Sequence, residues 1–177
     1  LEYTGQVADG WAGTSFVPTG TAATIEHVQQ GAVAAGRDPL DIEYQAGGAV
    51  QFGNDIELLL APRRSGVAFT LGAMGSATTN FYNDAYSRGG FETEARKVQQ
   101  LWVEGQREEA IQAVPDELIL QTNFLGTTSE VTERVRSYRE AGISVLRVQP
   151  EGADMQERLD SLGAIVDIVK SLNNDDR

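Results

Sequence analysis

Apolar residues recur at helical spacing in several stretches of this chain and gather into short runs between them. Residues 1–8 read as the last turns of a helix, stopped by Asp9-Gly10. Residues 11–17, small and β-tolerant and closed by Pro18, predict a strand. Thr19, Gly20 and Thr21 predict a turn, with Thr21 as N-cap of a helix over 22–35. On that helix Ile25, Val28, Ala32 and Ala35 share one face, and Gly36 stands where a C-terminal glycine belongs. Residues 42–52 predict a second strand, in which Gly47-Gly48 marks a bulge or a close approach. The same grammar returns near the end. Thr127 and Glu130 have capping-box spacing and open a helix whose inner face carries Val131, Val135 and Tyr138. Gly142 ends it, and residues 143–148 predict a strand closed by Pro150. A last helix starts near Asp154, with Glu157 three residues on and Met155, Leu159, Leu162, Val166 and Val169 along its apolar side.

Three helix–glycine–strand units therefore appear, at Asp9-Gly10, Ala35-Gly36 and Ala141-Gly142. Strands alternating with helices predict an α/β fold with parallel pairing. Residues 54–126 interrupt the alternation with 73 residues, far more than a normal connection. Much of this interruption has helical pattern: 56–60 and 67–71 are apolar, and Ala95, Val98, Leu101 and Trp102 share a face. Shorter helices are expected over 106–113 and 116–121, around Pro115. An insertion after a strand of a parallel scaffold is a common origin of an active-site lid. Within it, residues 71–84 are the least generic stretch: Gly72 and Gly75 bracket Met74, and Phe81-Tyr82 lie between Asn80 and Asn83. This predicts a structured loop. Three parallel strands make a poor isolated sheet, so the chain reads as one domain over 1–177 belonging to a larger protein. A (β/α)₈ barrel and a doubly wound sheet are the two completions.

Charge narrows the function classes. The net charge is −12, from 26 acidic and 14 basic residues, which argues against nucleic acid and anionic membrane as partners. Only Lys97 and Lys170 are lysines, and an acidic, lysine-poor composition fits a cytoplasmic protein, including one from a salt-rich cytoplasm. There is no cysteine, which removes thiol nucleophiles, disulfides and Cys-ligated metals. The single histidine, His27, removes a multi-histidine metal site and reads as a helix-surface residue.

The familiar catalytic motifs are missing. Gly47-Gly48 and Gly53 do not make G-x-G-x-x-G, and residues 72–76 lack the lysine of a P-loop. Ser15 and Ser76 have no nucleophile-elbow context. Glu92, Glu94, Glu108, Glu109, Asp116 and Glu117 read as solvated helix faces, and Arg134, Arg136 and Arg139 alternate with Glu133 and Glu140 as a salt-bridged outer face. Position offers better candidates. On a parallel scaffold the ligand lies at the strand C-termini, here Thr14, Ser15 and Phe16, then Gln51 and Phe52, then Arg147 and Gln149. These groups shape a pocket and orient a ligand, so the hard chemistry of an enzyme built this way belongs to a cofactor.

Four ordered segments carry a family resemblance. Val7-Ala8-Asp9-Gly10-Trp11 resembles the ADGW signature in the second half of luciferase-like monooxygenases. Gly72-Ala73-Met74-Gly75-Ser76 with Asn80-Phe81-Tyr82-Asn83 resembles a segment of the coenzyme F420-dependent subgroup. Val114 to Leu118, and Gly126 to Val131 with Arg139-Glu140-Ala141-Gly142, match the same subgroup. The resemblance implies the C-terminal portion of a (β/α)₈ TIM barrel, strands six to eight, with 54–126 as a helical lid. It implies hydride transfer with coenzyme F420, or FMN as the competing cofactor, to or from a small organic substrate. It puts the catalytic acid/base, a non-prolyl cis peptide and the phosphate-binding turn upstream of Leu1. Thr14, Ser15 and Gly75 become the expected cofactor contacts, and Phe16, Met74, Asn80, Tyr82, Asn83 and Gln149 the expected substrate pocket and lid. The expected partner is the rest of the barrel or a second copy, and a non-catalytic half-barrel assembly module is the other function class.

Overall fold

The computed structural model describes residues 1–20, 22–76 and 79–174. Thr21, the expected N-cap, and Ala77 and Thr78 of the 71–84 stretch lie outside the described residues. Helix α1 (Glu2–Val7) leads into strand β1 (Gly10–Ala12), then α2 (Ala22–Ala34), β2 (Glu43–Ala46) and β3 (Ala49–Phe52). A helical segment follows: α3 (Ile56–Ala73), α4 (Phe81–Tyr86), α5 (Glu92–Val103), α6 (Arg107–Gln112) and α7 (Asp116–Thr122). The chain then forms β4 (Phe124–Gly126), α8 (Thr128–Glu140), β5 (Val145–Leu146), β6 (Gln149–Pro150) and α9 (Met155–Asn174).

Every strand pair is parallel. β2 lies between β1 and β5, and β3 lies between β4 and β6. Backbone bonds from Ser144, Arg147, Gln149 and Glu151 N–H to the carbonyls of Tyr44, Ala46, Gly48 and Val50 run through both halves. The two sheets are therefore one bent sheet, and β4 takes the edge that β1 vacates. The expected bulge is at Gly47-Gly48, and glycine is obligatory there. Gly47 has φ +153°, and a Cβ on it would sit 1.9 Å from the Arg147 carbonyl oxygen. A Cβ on Gly48 would sit 2.1 Å from the Thr122 carbonyl oxygen.

One sheet face is apolar and covered. Tyr44, Ala46, Val50 and Phe124 pack under Ile25, Val28 and Ala32 of α2, Val131, Val135 and Tyr138 of α8, and Ile165, Ile168 and Leu172 of α9. A second core forms inside the helical segment, where Leu59, Leu60, Ala68 and Leu71 of α3 meet Ala95, Val98, Leu118 and Ile119, and it reaches the sheet through Leu125. Thr127 and Glu130 form the expected capping box, with Glu130 held ionised below its ordinary range by the Thr127 hydroxyl and N–H.

Five expectations change. The strand expected over 11–17 stops at Ala12, because Ser15 turns the chain with φ +56° and drives Phe16 into one core and Val17 into the other. β4 is an additional strand, three fully buried residues without enough sequence to declare themselves. The loop expected over 71–84 is largely helix: α3 runs to Ala73, and Asn80 caps α4, its carboxamide oxygen accepting from Tyr82 and Asn83 N–H. The last helix turns a different side inward. Met155, Leu159, Leu162 and Val166 are exposed and Val169 is partly buried against the core, while Ser161, Ile165, Ile168 and Leu172 are buried, and Ala35 is also exposed. Finally, Arg134 and Arg139 leave the expected outer face to donate to the Leu125 and Leu172 carbonyls, and Arg136 keeps its pairing with Glu133.

Candidate functional site

The site grows from the end of β1. Gly13 N–H donates to the Gln45 carbonyl at 2.7 Å, the last contact along β2 before the chain leaves the sheet. Thr14 is exposed, and Ser15 takes a left-handed conformation that costs a non-glycine residue about 1 kcal/mol. Strain of this kind persists where the surroundings over-determine it, most often at functional sites. Here the surroundings are aromatic. Phe16 is 3% exposed, 5.3 Å from the Tyr138 ring and 6.2 Å from that of Trp11. The Tyr138 hydroxyl donates to the carbonyls of Gln121 at 3.0 Å and Phe16 at 3.4 Å. Ser15 shares a side-chain hydrogen bond with Tyr86 of α4. Burial pushes both phenols above their ordinary value, so both stay protonated donors at neutral pH.

Two cavities meet at this turn, and Ser15 and Phe16 line both. The first encloses about 350 Å³ between the end of β1, α2 and α4. Trp11, Phe16 and Phe81 supply rings, Thr14, Ser15 and Thr24 supply hydroxyls, and Arg88 and His27 stand at its rim. The second, about 380 Å³, lies over the glycine bulge and is polar, with Asn123, Gln149, Arg63 and Glu151 around it. Arg63, reaching down from α3, donates to the Leu59 carbonyl and to Gln51 Oε1, and pairs with Glu151. Its Nε is buried with no partner among the described residues. Burial pulls the guanidinium below its ordinary value while Glu151 pulls it back.

The expected site residues separate into two groups. Thr14, Ser15 and Phe16 come together at the first cavity, and Gln149 joins Ser15 and Phe16 at the second. Met74, Gly75, Asn80, Tyr82 and Asn83 line neither. The two asparagines are 3% and 5% exposed, and their amides are spent on backbone. Asn80 Nδ2 donates to the Leu71 carbonyl at 2.8 Å, and Asn83 Nδ2 to those of Ala95 at 2.8 Å and Leu71 at 3.2 Å. They fasten α4 between α3 and α5. Gly75 has φ +125° in the turn that leaves α3, where a Cβ would meet the Thr79 carbonyl oxygen at 2.3 Å. Met74 is half exposed, and Tyr82 packs against the second core.

Sequence reasoning missed Arg63, Tyr86, Arg88 and Thr24 as site residues. Arg63, Tyr86 and Arg88 come from segments remote in sequence from β1, Thr24 from the helix that follows it, and none has a local motif. His27, read as a surface residue, is on the surface but at the cavity rim, its Nδ1 3.9 Å from a Glu2 carboxylate oxygen. Among the described residues no three His, Asp or Glu side chains gather to hold a metal ion. The cavity groups are hydroxyls, rings and amides, with Arg88 and His27 at the first cavity and the paired Arg63 and Glu151 at the second. They bind and orient a ligand, and nothing in them is arranged as a hydrolytic acid–base pair.

Comparison with known proteins agrees with this picture. The family profile described as luciferase-like monooxygenase matches residues 1–144. A relative in Mycobacterium tuberculosis (strain ATCC 25618 / H37Rv), provisionally described as a coenzyme F420-dependent oxidoreductase, is 26% identical over 159 residues, 89% of this chain and 46% of that protein. Two solved structures share the fold. The coenzyme F420-dependent tetrahydromethanopterin reductase of Methanopyrus kandleri superposes with a TM-score of 0.69 at 20% identity, over 92% of this chain and 45% of its own. An F420-dependent secondary alcohol dehydrogenase, in complex with an F420-acetone adduct, gives 0.65 at 17%, over 95% and 45%. The chain thus spans about half the length of the relatives it matches.

Proposed function

The chain belongs to the luciferase-like monooxygenase family, and from that premise we propose that it is the C-terminal portion of a (β/α)₈ barrel oxidoreductase that uses coenzyme F420. The carrying observation is the end of β1, where a strained Ser15, a phenol-held hydroxyl and three aromatic rings surround a cavity at the strand C-termini. That is the ligand side of a parallel scaffold. The relatives described as F420-dependent support the choice of cofactor.

The residues present fit such a group. The cavity offers flat apolar walls for a ring system and hydroxyls at Thr14 and Ser15 to hold its polar edge. Coenzyme F420, when bound, supplies two-electron hydride transfer. The chain's own residues bind, orient and exclude water: Phe16 and Trp11 wall the cavity, and Tyr86 fixes the Ser15 hydroxyl. The helical segment α3–α7 acts as the lid, fastened by Asn80 and Asn83. The catalytic acid or base is outside this chain in this reading. FMN is the competing cofactor.

The rest of the barrel, or a second copy, covers the sheet face opposite α2, α8 and α9. Parallel sheets are normally covered on both faces, and Ala12, Glu43, Arg147 and Gln149 are exposed. The acidic, lysine-poor composition supports a cytoplasmic setting, and no helix among the described residues is long and apolar enough to cross a membrane. Fluorescence titration of the full-length protein with oxidised F420 and with FMN tests the proposal. Saturable F420 binding alone is expected. Binding of neither, where a family relative binds F420, overturns it, and tight FMN binding alone moves the protein to the flavin branch.

A further inference from the structure

Strand β1 lies at a margin of the sheet. It pairs in parallel with β2, Gly10 against Glu43 and Ala12 against Gln45, and its other side is open among the described residues. The Asp9 carbonyl accepts from Glu43 N–H at 3.0 Å, and Gly13 N–H donates to the Gln45 carbonyl at 2.7 Å. Backbone groups of alternate strand residues face opposite sides, so Gly10 and Ala12 present N–H and C=O to the open margin. A row of this kind is a template for a further strand. A groove runs along it, lined by Asp9, Asp41 and Glu43. Arg37 stands 3.8 Å from the Asp9 carboxylate, whereas Asp41 and Glu43 have no ion pair among the described residues.

Helix α1 indicates which strand belongs there. It leads into β1 and crosses α2 backbone to backbone, since a Cβ on Gly5 would lie 1.9 Å from the Val28 carbonyl oxygen. The two helices therefore lie side by side in one layer. Parallel crossovers are right-handed, so crossovers through one layer step across the sheet in one direction. Since α2 steps from β1 to β2, α1 steps onto β1 from the other side, the open margin.

We propose that this margin takes a parallel strand preceding α1 in the chain, and that this strand carries a lysine or arginine whose side chain crosses Gly10 to the Glu43 carboxylate. The proposal rests on reading the chain as the C-terminal portion of a barrel, and it names the partner of β1 and its chemistry. Gly10 and Glu43 stand on one face, where a Cβ on Gly10 would meet that of Glu43 at 3.3 Å, and glycine leaves the path above it clear. Strands two apart are roughly 10 Å from each other, a gap that a long cation and a glutamate close from both ends. An uncharged strand would cover Glu43 unpaired, a penalty that a cation removes. A second copy is a poor occupant. Two β1 margins related by a twofold axis run antiparallel and set the same acids against each other. Head-to-tail copies add the three strands β1, β2 and β5 at a time, which does not sum to eight.

The test uses the full-length protein. The sequence upstream of Leu1 is read first, and the strand before α1 is expected to contain a lysine or arginine level with Gly10. Glu43→Gln is then expected to lower the thermal midpoint by about 2–4 °C, and Glu43→Lys by more. Exchanging the charges, Glu43→Lys together with glutamate in place of the strand's cation, should return at least half of the loss. The drop caused by Glu43→Gln should stay the same over about a fiftyfold range of protein concentration, as closure within one chain requires. Absence of a basic residue in that strand, an unchanged midpoint in both Glu43 variants, or failure of the exchange to rescue overturns the proposal. A drop that grows with dilution overturns it in favour of a second copy. F420 titration is read separately on the same samples. Charge rescue without F420 binding leaves this inference standing and removes the cofactor reading, and F420 binding without charge rescue does the opposite.

Discussion

Replacing Ser15 separates the strain at this turn from the hydrogen bond that maintains it. Ser15→Ala removes the hydroxyl that Tyr86 shares and keeps a Cβ at φ +56°. Tyr86 is 7% exposed, so its hydroxyl is left buried without that partner, a cost of about 1–3 kcal/mol. Ser15→Gly loses the same bond but frees the backbone from its left-handed penalty, returning about 1 kcal/mol. The glycine variant is therefore expected to be about 1 kcal/mol more stable than the alanine variant. Tyr86→Phe removes the buried hydroxyl itself. Because deleting both partners is cheaper than deleting one, Ser15→Ala with Tyr86→Phe should cost less than the two single changes added, by about 1 kcal/mol. Urea unfolding of the four variants and the wild type measures each difference. An alanine variant as stable as the glycine variant would refute the strain argument. Additivity within about 0.5 kcal/mol would refute the coupling.

Four further outcomes follow from other contacts. Gly47→Ala puts a methyl group against the Arg147 carbonyl at the bulge and should cost at least about 2 kcal/mol, read as a lowered thermal midpoint. Asn83→Ala leaves the buried Leu71 and Ala95 carbonyls short of a donor, at about 1–3 kcal/mol by the same measurement. Glu130 has its carboxyl pKa depressed in the folded state, so its contribution is complete above the ordinary carboxylate range and disappears as pH falls through the folded value. Glu130→Gln should therefore be less stable than wild type at pH 7, with the gap closing on acidification in denaturant titrations. On α9, Ile165→Ala should cost about 2–4 kcal/mol whereas Leu159→Ala, at a position 53% exposed, should cost little, and the opposite ranking would restore the face that periodicity alone suggests.

The helices α2 and α8 were legible because each has an apolar face at helical spacing and a clean stop. The Thr127–Glu130 box opens one, and Gly36 and Gly142 close both with positive φ. The bulge was legible because two adjacent glycines inside a strand pattern have few other uses. Misreadings came where tertiary contacts outvote local pattern. Ser15 gives no local hint that it turns the chain, because its neighbours there are remote in sequence: Tyr86, 71 residues away, and Tyr138, on which Phe16 packs. Asn80 and Asn83 beside two aromatics suggested a ligand-facing loop, but an asparagine that caps a helix and one that bridges two others have the same sequence look. α9 misled for a different reason. It has apolar residues at 155, 159, 162, 166 and 169 and another set at 165, 168 and 172, so its apolar arc is wider than one neighbour needs. Periodicity detects the arc and is blind to which part of it the sheet uses.

That wide arc and the open sheet face bear on each other. The covered face of the strands is apolar throughout, while the other carries Glu43, Gln45, Gln51 and Arg147, with Gln45 donating to Glu43 at 3.2 Å. Over Glu43, Gln45 and Arg147 this face does not suit an apolar helix layer, which would bury unpaired charge at several kcal/mol per group, whereas at Leu125 the helical segment α3–α7 already covers it. It suits a ligand-bearing cleft, and Arg63, which lines the second cavity, donates to Gln51 on this side. The apolar demand is instead on the outer rim of α9, at Met155, Leu159, Leu162 and Val166. A doubly wound sheet reverses this arrangement, because its second helix layer needs both strand faces apolar. Polarity is thus divided unevenly between the two faces, apolar under α2, α8 and α9 and mixed on the other side, where Gln51 is held by Arg63 of α3 and Leu125 is buried under the helical segment.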